Sequence, residues 1–212
     1  MFTIEQSRAF FGFLKQVFNQ HCSELNTLDS FAGDGDHGFT MQRGFDKVLE
    51  EIRKSESTDF AELFDIASVA FAENSGGAIG PILSSFFAEG GVVFKGKTDL
   101  STRDFSLFFQ KGVEAVMQIG GAHPSEKTIL DAMQPAFAYL HENTALPLAQ
   151  ALENTWHIGL QAAMSTKGMI AKHGRAKFLG ERSKEFQDAG ATSFALIIQA
   201  LWKAANNEKP IF

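Results

Sequence analysis

Apolar residues recur every three or four positions along most of this chain, the period of helices with one buried face. Phe10, Phe11, Leu14, Val17 and Phe18 set the pattern in the first segment, and Thr3 with Gln6 ahead of them has the spacing of a capping box. The same period predicts a second helix from residue 38 to about 52. The polar run 55–58 breaks it, and Thr58 or Asp59 can cap a third helix that reaches about Phe71. Gly76-Gly77-Ala78-Ile79-Gly80-Pro81 opens a fourth, with Pro81 near the first turn, where a missing N–H costs least, and Gly90-Gly91 closes it. Ser101 can cap a fifth helix ending at Gly120-Gly121; a sixth follows Thr128 and contains Pro135, a residue able to kink it. Pro147 starts a seventh, and the eighth runs from Ala191 to about Asn206. Val92-Val93-Phe94 is the one strand-like run. Helices of similar length joined by short connections predict an all-α fold, an antiparallel eight-helix bundle or barrel forming a single unit over residues 1–212.

Composition sharpens this picture in three places. The chain carries 22 Phe but one Tyr and two Trp; Phe has no polar handle, so the rings belong in a bulky core rather than on a stacking surface. Room for an apolar guest inside a wide helical interior is the weaker reading. A net charge of −6 argues against nucleic acid as partner, since that affinity rests on Lys and Arg against phosphates. Cys22 is the single cysteine, which removes any intramolecular disulfide and reads as a small buried hydrophobe in a reducing compartment. Neither a secretory leader nor an apolar run long enough for a membrane is visible, and the expected location is the cytoplasm.

The candidate chemistry begins at Gly33-Asp34-Gly35-Asp36-His37-Gly38, with Asp29 just upstream. Carboxylates this close raise one another's pKa, and a hard divalent cation such as Mg²⁺ removes that cost. Asp34 and Asp36 are two apart, so an extended loop can point both to one side. An EF-hand does not fit. Counting from Asp34, Phe39 and Phe45 stand where that loop needs Gly and a bidentate Glu. A solvated acidic turn is the plain alternative.

Glycines gather around 33–38, 76–80 and 120–121 in polar company: Asn74 and Ser75 before one cluster, Lys127 and Thr128 after another. Glycine is ordinary at helix ends, but helix N-termini with free N–H groups also suit phosphate. The segment 174–184 is the strongest basic stretch, either a solvated linking loop or a phosphate-binding one. Arg175 stands out there because guanidinium meets phosphate bidentately, and 188–192 can supply a helix N-terminus beside it.

The motifs have an order. Asp29 with the Gly-Asp-Gly-Asp-His-Gly loop precedes the 76–81 glycine run, then Glu126-Lys127-Thr128-Ile129-Leu130-Asp131, then Gly-Arg-Ala-Lys-Phe-Leu-Gly-Glu-Arg-Ser from Gly174, then Gln187-Asp188-Ala189-Gly190-Ala191-Thr192-Ser193. Together they resemble the nucleotide-binding L subunit of dihydroxyacetone kinase over nearly the whole chain. The resemblance implies an eight-helix barrel with ADP or ATP at one rim. It implies two Mg²⁺ held by Asp29, Asp34 and Asp36 and bridging the phosphates. His37, Ser75, Gly76, Gly77 and Gly80 would contact the nucleotide, with Gly121, Thr128 and Ile129. Arg175 would meet the β-phosphate and act in catalysis, and Asp188 and Gly190 would line the same end. A chain of this length resembles the phosphotransferase-dependent form, in which bound ADP is rephosphorylated by a phosphohistidine carrier and the sugar sits on a separate K subunit. A homodimer stays open.

The chain departs from the family pattern at Ile79 (usually Ser), at Gly121 and Ser125-Glu126 (a Lys and a Gly-Asp pair), at Ile129 (often Met) and at Ala189 (often Pro). His21, His123, His141, His157 and His173 match no role. Three other functions share the same residues: a nucleotide-charged regulatory subunit without turnover, the equivalent subunit of a kinase for another small ketose, and a metal-dependent phosphohydrolase.

Overall fold

The structure is a computed structural model that describes residues 1–211. Its α-helices are α1 (Ile4–Ser30), α2 (His37–Lys54), α3 (Phe60–Asn74), α4 (Ile79–Gly91), α5 (Thr102–Gly120), α6 (Leu130–Glu142), α7 (Leu148–Ser165) and α8 (Ala189–Ala205). Each packs on its neighbours in the chain, and α8 returns to pack on α1, so the helices close into a ring.

Caps set the boundaries. Thr3 and Gln6 form the reciprocal capping box of α1, and Ser101 and Asp104 form that of α5. Asp59 rather than Thr58 caps α3, accepting from Glu62 N–H. Pro81 lies in the first turn of α4, and α6 continues through Pro135. Gln6 also donates to Ala204 O at 3.1 Å, fastening the start of α1 to the end of α8 where the ring closes.

Phenyl rings fill the middle of the ring. Phe64 meets Phe11, Phe94 and Phe108 edge-on with centroids 5.1–5.4 Å apart, and Phe86 does the same with Phe108 and Phe194 at 5.0 and 5.5 Å. Several rings lie over glycines inside neighbouring helices. A Cβ on Gly44, Gly90 or Gly112 would come within 2.5 Å of Phe71, 2.7 Å of Phe108 or 2.4 Å of Phe86. Most of the Phe excess is therefore core, with Phe31, Phe39 and Phe178 left exposed, and glycine makes space for it. Replacing Phe64 with Ala should destabilise the fold by about 3–5 kcal/mol. Urea titration checks this, and a loss below about 1 kcal/mol would mean the rings are not closely packed.

The strand-like run 92–94 is not a strand. Val92–Phe94 forms a 3-10 turn directly after α4, which leaves Val92 exposed and swings Phe94 into the core against Phe60, Phe64, Phe105 and Phe108. Ring packing decides its shape where β-branched composition suggested extension. Among the described residues, β pairing is limited to one bridge between Phe2 and Leu100. The basic segment read as a loop is itself wound, a 3-10 stretch over Arg175–Glu185 that bends at Gly180.

Because the helices alternate in direction around the ring, the connections α1–α2, α3–α4, α5–α6 and α7–α8 share one rim. These are residues 31–36, 75–78, 121–129 and 166–188, the four segments in which the sequence concentrates glycine, carboxylate and basic residues.

Candidate functional site

The acidic loop is preorganised by its own backbone. Asp29, in the last turn of α1, accepts through Oδ2 from the N–H groups of Gly35 and Asp36 at 2.9 and 3.1 Å. A Cβ at 33 would lie 2.1 Å from Asp29 Oδ1, so glycine there leaves this carboxylate its place. Oxygens of Asp29, Asp34 and Asp36 all lie within 4.8 Å of one another. Asp36 takes the N-cap position of α2 but its carboxylate makes no capping bond. Burial, then the charges of Asp34 and Asp29, push its pKa up from the ordinary value.

Arg175 opens the 3-10 stretch, and its guanidinium pairs with Asp34 across the rim. That contact holds the Asp34 carboxyl below its usual range. The pair is exposed on both sides, so its part in stability is small, and both groups stay accessible.

His37 begins α2, with Nε2 2.8 Å from Ser193 Oγ in the second turn of α8. Burial pulls its pKa down from the ordinary value, opposed by Asp29, so the imidazole is neutral near pH 7. Asp188 caps α8, accepting from Ala191 N–H at 2.7 Å, and burial pushes its carboxyl up to about 6. Gly190 follows it; a Cβ there would sit 3.5 Å from Ile129 Cβ, which brings the α5–α6 and α7–α8 segments together.

Ser75 donates to Phe71 O at 2.6 Å, and the missing side chain of Gly80 leaves space for its hydroxyl. Gly76 and Gly77 stand open to solvent beyond it. Arg43 of α2 donates to Asn74 O at 2.9 Å, tying this loop to the acidic side. Gly121 ends α5 in the left-handed conformation, with φ 58°. Thr128 donates its N–H to Asp131 at 2.7 Å, and Ile129 is buried behind it.

The structure thus joins Asp29, Asp34, Asp36 and Arg175 in direct contact, links His37 to α8, and sets Asp188, Gly190 and Ile129 side by side. Ser75, Gly76, Gly77, Gly80, Gly121 and Thr128 share the same rim. Three features of the rim escaped sequence reasoning. Phe31 and Phe186 stack in parallel with centroids 4.1 Å apart, joining the acidic loop to the segment before α8. His173 Nε2 lies 2.6 Å from Glu126 Oε2, two residues from Arg175. Lys127, noticed only as polar company for glycine, is buried beneath the rim. The basic pair Lys172-His173 just before residue 174 was the available signal for an acidic partner at 126; nothing in the sequence pairs the two phenyl rings. No helix among the described residues is long and apolar enough to cross a membrane.

The family described as the DAK2 domain matches residues 31–203. The ADP-binding subunit DhaL of the PEP-dependent dihydroxyacetone kinase of Escherichia coli K12 is 34% identical over 191 residues, covering 89% of this chain and 91% of that protein. The L-erythrulose kinase of Pectobacterium atrosepticum is 32% identical over 200 residues, covering 92% of this chain but only 34% of that longer protein. The crystal structure of the dihydroxyacetone kinase of C. freundii in complex with AMP-PNP and Mg²⁺ superimposes with a TM-score of 0.69 at 22% identity, over 95% of this chain and 33% of that one, a likeness of fold.

Proposed function

The chain belongs to the DAK2 domain family, and from that premise we propose that it is the ADP/ATP-binding subunit of a two-component dihydroxyacetone kinase. In this reading it presents a phosphoryl group to dihydroxyacetone held by a separate K subunit, and its ADP is recharged by a phosphohistidine carrier. The observation that carries it is the meeting of the acidic triad with Arg175 on the rim that also bears the glycine loops. The PEP dependence and ADP binding named for the E. coli relative support the recharging step.

Asp29, Asp34 and Asp36 would hold two Mg²⁺. The donor set is all hard oxygen, and the upward push on Asp36, from burial first and then from the charges of Asp34 and Asp29, is one that a cation relieves. Bound there, the metal supplies positive charge against the phosphates. Asp29 keeps the loop in shape through its two backbone contacts, leaving Asp34 and Asp36 directed at the rim. Arg175, now on Asp34, has a guanidinium fork suited to the β-phosphate. His37, Ser75, Gly76, Gly77, Gly80, Gly121, Thr128, Ile129, Asp188 and Gly190 would line the nucleotide. The open backbone at Gly76 and Gly77 permits close approach of phosphate.

Mg-ADP should stabilise the fold by about 2.7 kcal/mol at a hundredfold excess over Kd. For a domain of this size that raises Tm by roughly 5–10 °C. EDTA should reverse the gain. ADP stabilising equally well in EDTA would remove the metals from the reading.

A second reading, a kinase subunit for another small ketose, is favoured by the 32% identity to L-erythrulose kinase. The two separate when the chain is assayed with partner subunits that carry dihydroxyacetone or erythrulose, because turnover should follow the sugar of the cognate partner.

A further inference from the structure

Residues 167–187 leave the ring after α7 and return at α8, carrying Arg175 out to Asp34 in the neighbouring α1–α2 connection. This strap is organised within itself. Gly168 N–H donates to Lys184 O at 2.9 Å, and Ala171 N–H to Ser183 Oγ at 2.9 Å. A side chain from another loop bridges its two ends. Lys127 donates from Nζ to Thr166 O at 2.8 Å, where the strap departs, and to Phe186 O, where it comes back. Thr166 Oγ1 adds a second tie by accepting from Asp188 N–H at 2.8 Å.

The placement of Lys127 is costly. The residue is 6% exposed and sits at φ 59°, a left-handed conformation that side chains other than glycine seldom adopt. Asp131 stabilises that turn by accepting from Ser125 and Thr128 N–H. The groups that face the ammonium are the two carbonyls, with Asp188 and Asp131 supplying countercharge. A buried cation so compensated is destabilising to remove by one partner alone. Phe186 carries the restraint onward: its carbonyl is held by Lys127 while its ring lies flat on Phe31, next to the acidic loop.

We propose that Lys127 is a positioning residue for Arg175: its ammonium closes the neck of the strap and thereby fixes where the guanidinium stands against the acidic triad. The consequence for phosphoryl transfer rests on the function proposed above; the closure of the neck does not.

Hydrogen exchange on the ligand-free protein reads the neck directly. Lys127→Met keeps the apolar stem and removes the charge. Amides of 167–187 should exchange about ten- to hundredfold faster, the loss expected for charge-assisted hydrogen bonds, while those of α1–α5 hold their protection. If Lys127→Met does not fold, Thr166→Val opens the other tie of the same neck and should loosen the same residues. Unchanged strap exchange in whichever variant folds overturns the inference. Transfer supplies the second readout, assayed with a K subunit. Lys127→Met should slow it at least about tenfold in the wild-type background and little in Arg175→Ala, because the two residues act as one unit. Equal slowing in both backgrounds would make Lys127 a structural residue only. A loosened strap in a protein that shows no transfer even as wild type would support the neck and overturn the kinase function instead.

Discussion

Asp34→Asn combined with Asp36→Asn will abolish Mg-ADP binding without unfolding the protein. The double variant retains the shape of both side chains and removes two of the three charges whose oxygens lie within 4.8 Å of one another. Asp29 is kept because Gly35 and Asp36 N–H depend on it, so its loss would disturb the loop as well as the site. Calorimetric affinity for Mg-ADP should fall on the order of a hundredfold or more, the combined loss of two charge-assisted contacts.

The stability of the ligand-free protein should move the other way or not at all. Asp36 has a pKa raised by folding, through burial and the charges of Asp34 and Asp29. A carboxyl whose folded pKa is raised opposes folding in its ionised form, so the cost is present at neutral pH and vanishes as pH falls below its ordinary value. Asparagine at 36 removes that cost at pH 7, while asparagine at 34 gives up only the exposed pair with Arg175, whose part in stability is small. Opposite responses of binding and stability would separate a site that stores like-charge repulsion from a turn that happens to be acidic. Unchanged Mg-ADP affinity in the double variant would end the metal assignment.

The helical frame was legible because its signals are local. Thr3 with Gln6 and Ser101 with the turn after it announce helix starts within four residues, and both form in the structure. The acidic loop was legible for the same reason, since Asp29, Asp34 and Asp36 are neighbours in sequence. The run 92–94 misled because its composition favours a strand, whereas Phe94 is placed by rings from α3 and α5 that lie far along the chain. Glycine drew attention at helix ends, yet Gly44 and Gly112 lie inside α2 and α5 to admit phenyl rings from a neighbouring helix. Contacts across the rim were least legible. Phe31 on Phe186, Glu126 with His173 and the two carbonyls on Lys127 each join distant segments, and no spacing rule connects them. Arg175 was found by chemistry alone; its partner, Asp34, emerges only when the α7–α8 segment folds over the α1–α2 loop.

Arg175→Ala should cost the most in turnover and little in folding. The guanidinium is exposed and its ion pair with Asp34 lies at the surface, where such pairs add little to stability, so the melting temperature should barely change. In the proposed reaction its charge would count when negative charge redistributes on the phosphoryl group being transferred. Loss of an arginine in that position slows phosphoryl transfer by roughly a thousandfold or more. Arg175→Lys should recover only part of the rate, because an ammonium keeps the charge but lacks the fork that meets two oxygens at once. Binding should respond differently. With the acidic triad intact, Mg-ADP affinity should fall far less than kcat, the signature of an interaction made chiefly in the transition state. The assay is sugar phosphate formed from ATP with a K subunit supplied, beside calorimetry on the same preparations. Turnover in Arg175→Ala equal to wild type would remove the residue from the mechanism. An equal loss in affinity and kcat would recast it as a binding residue, and the strap would then serve to hold the nucleotide rather than to speed its reaction.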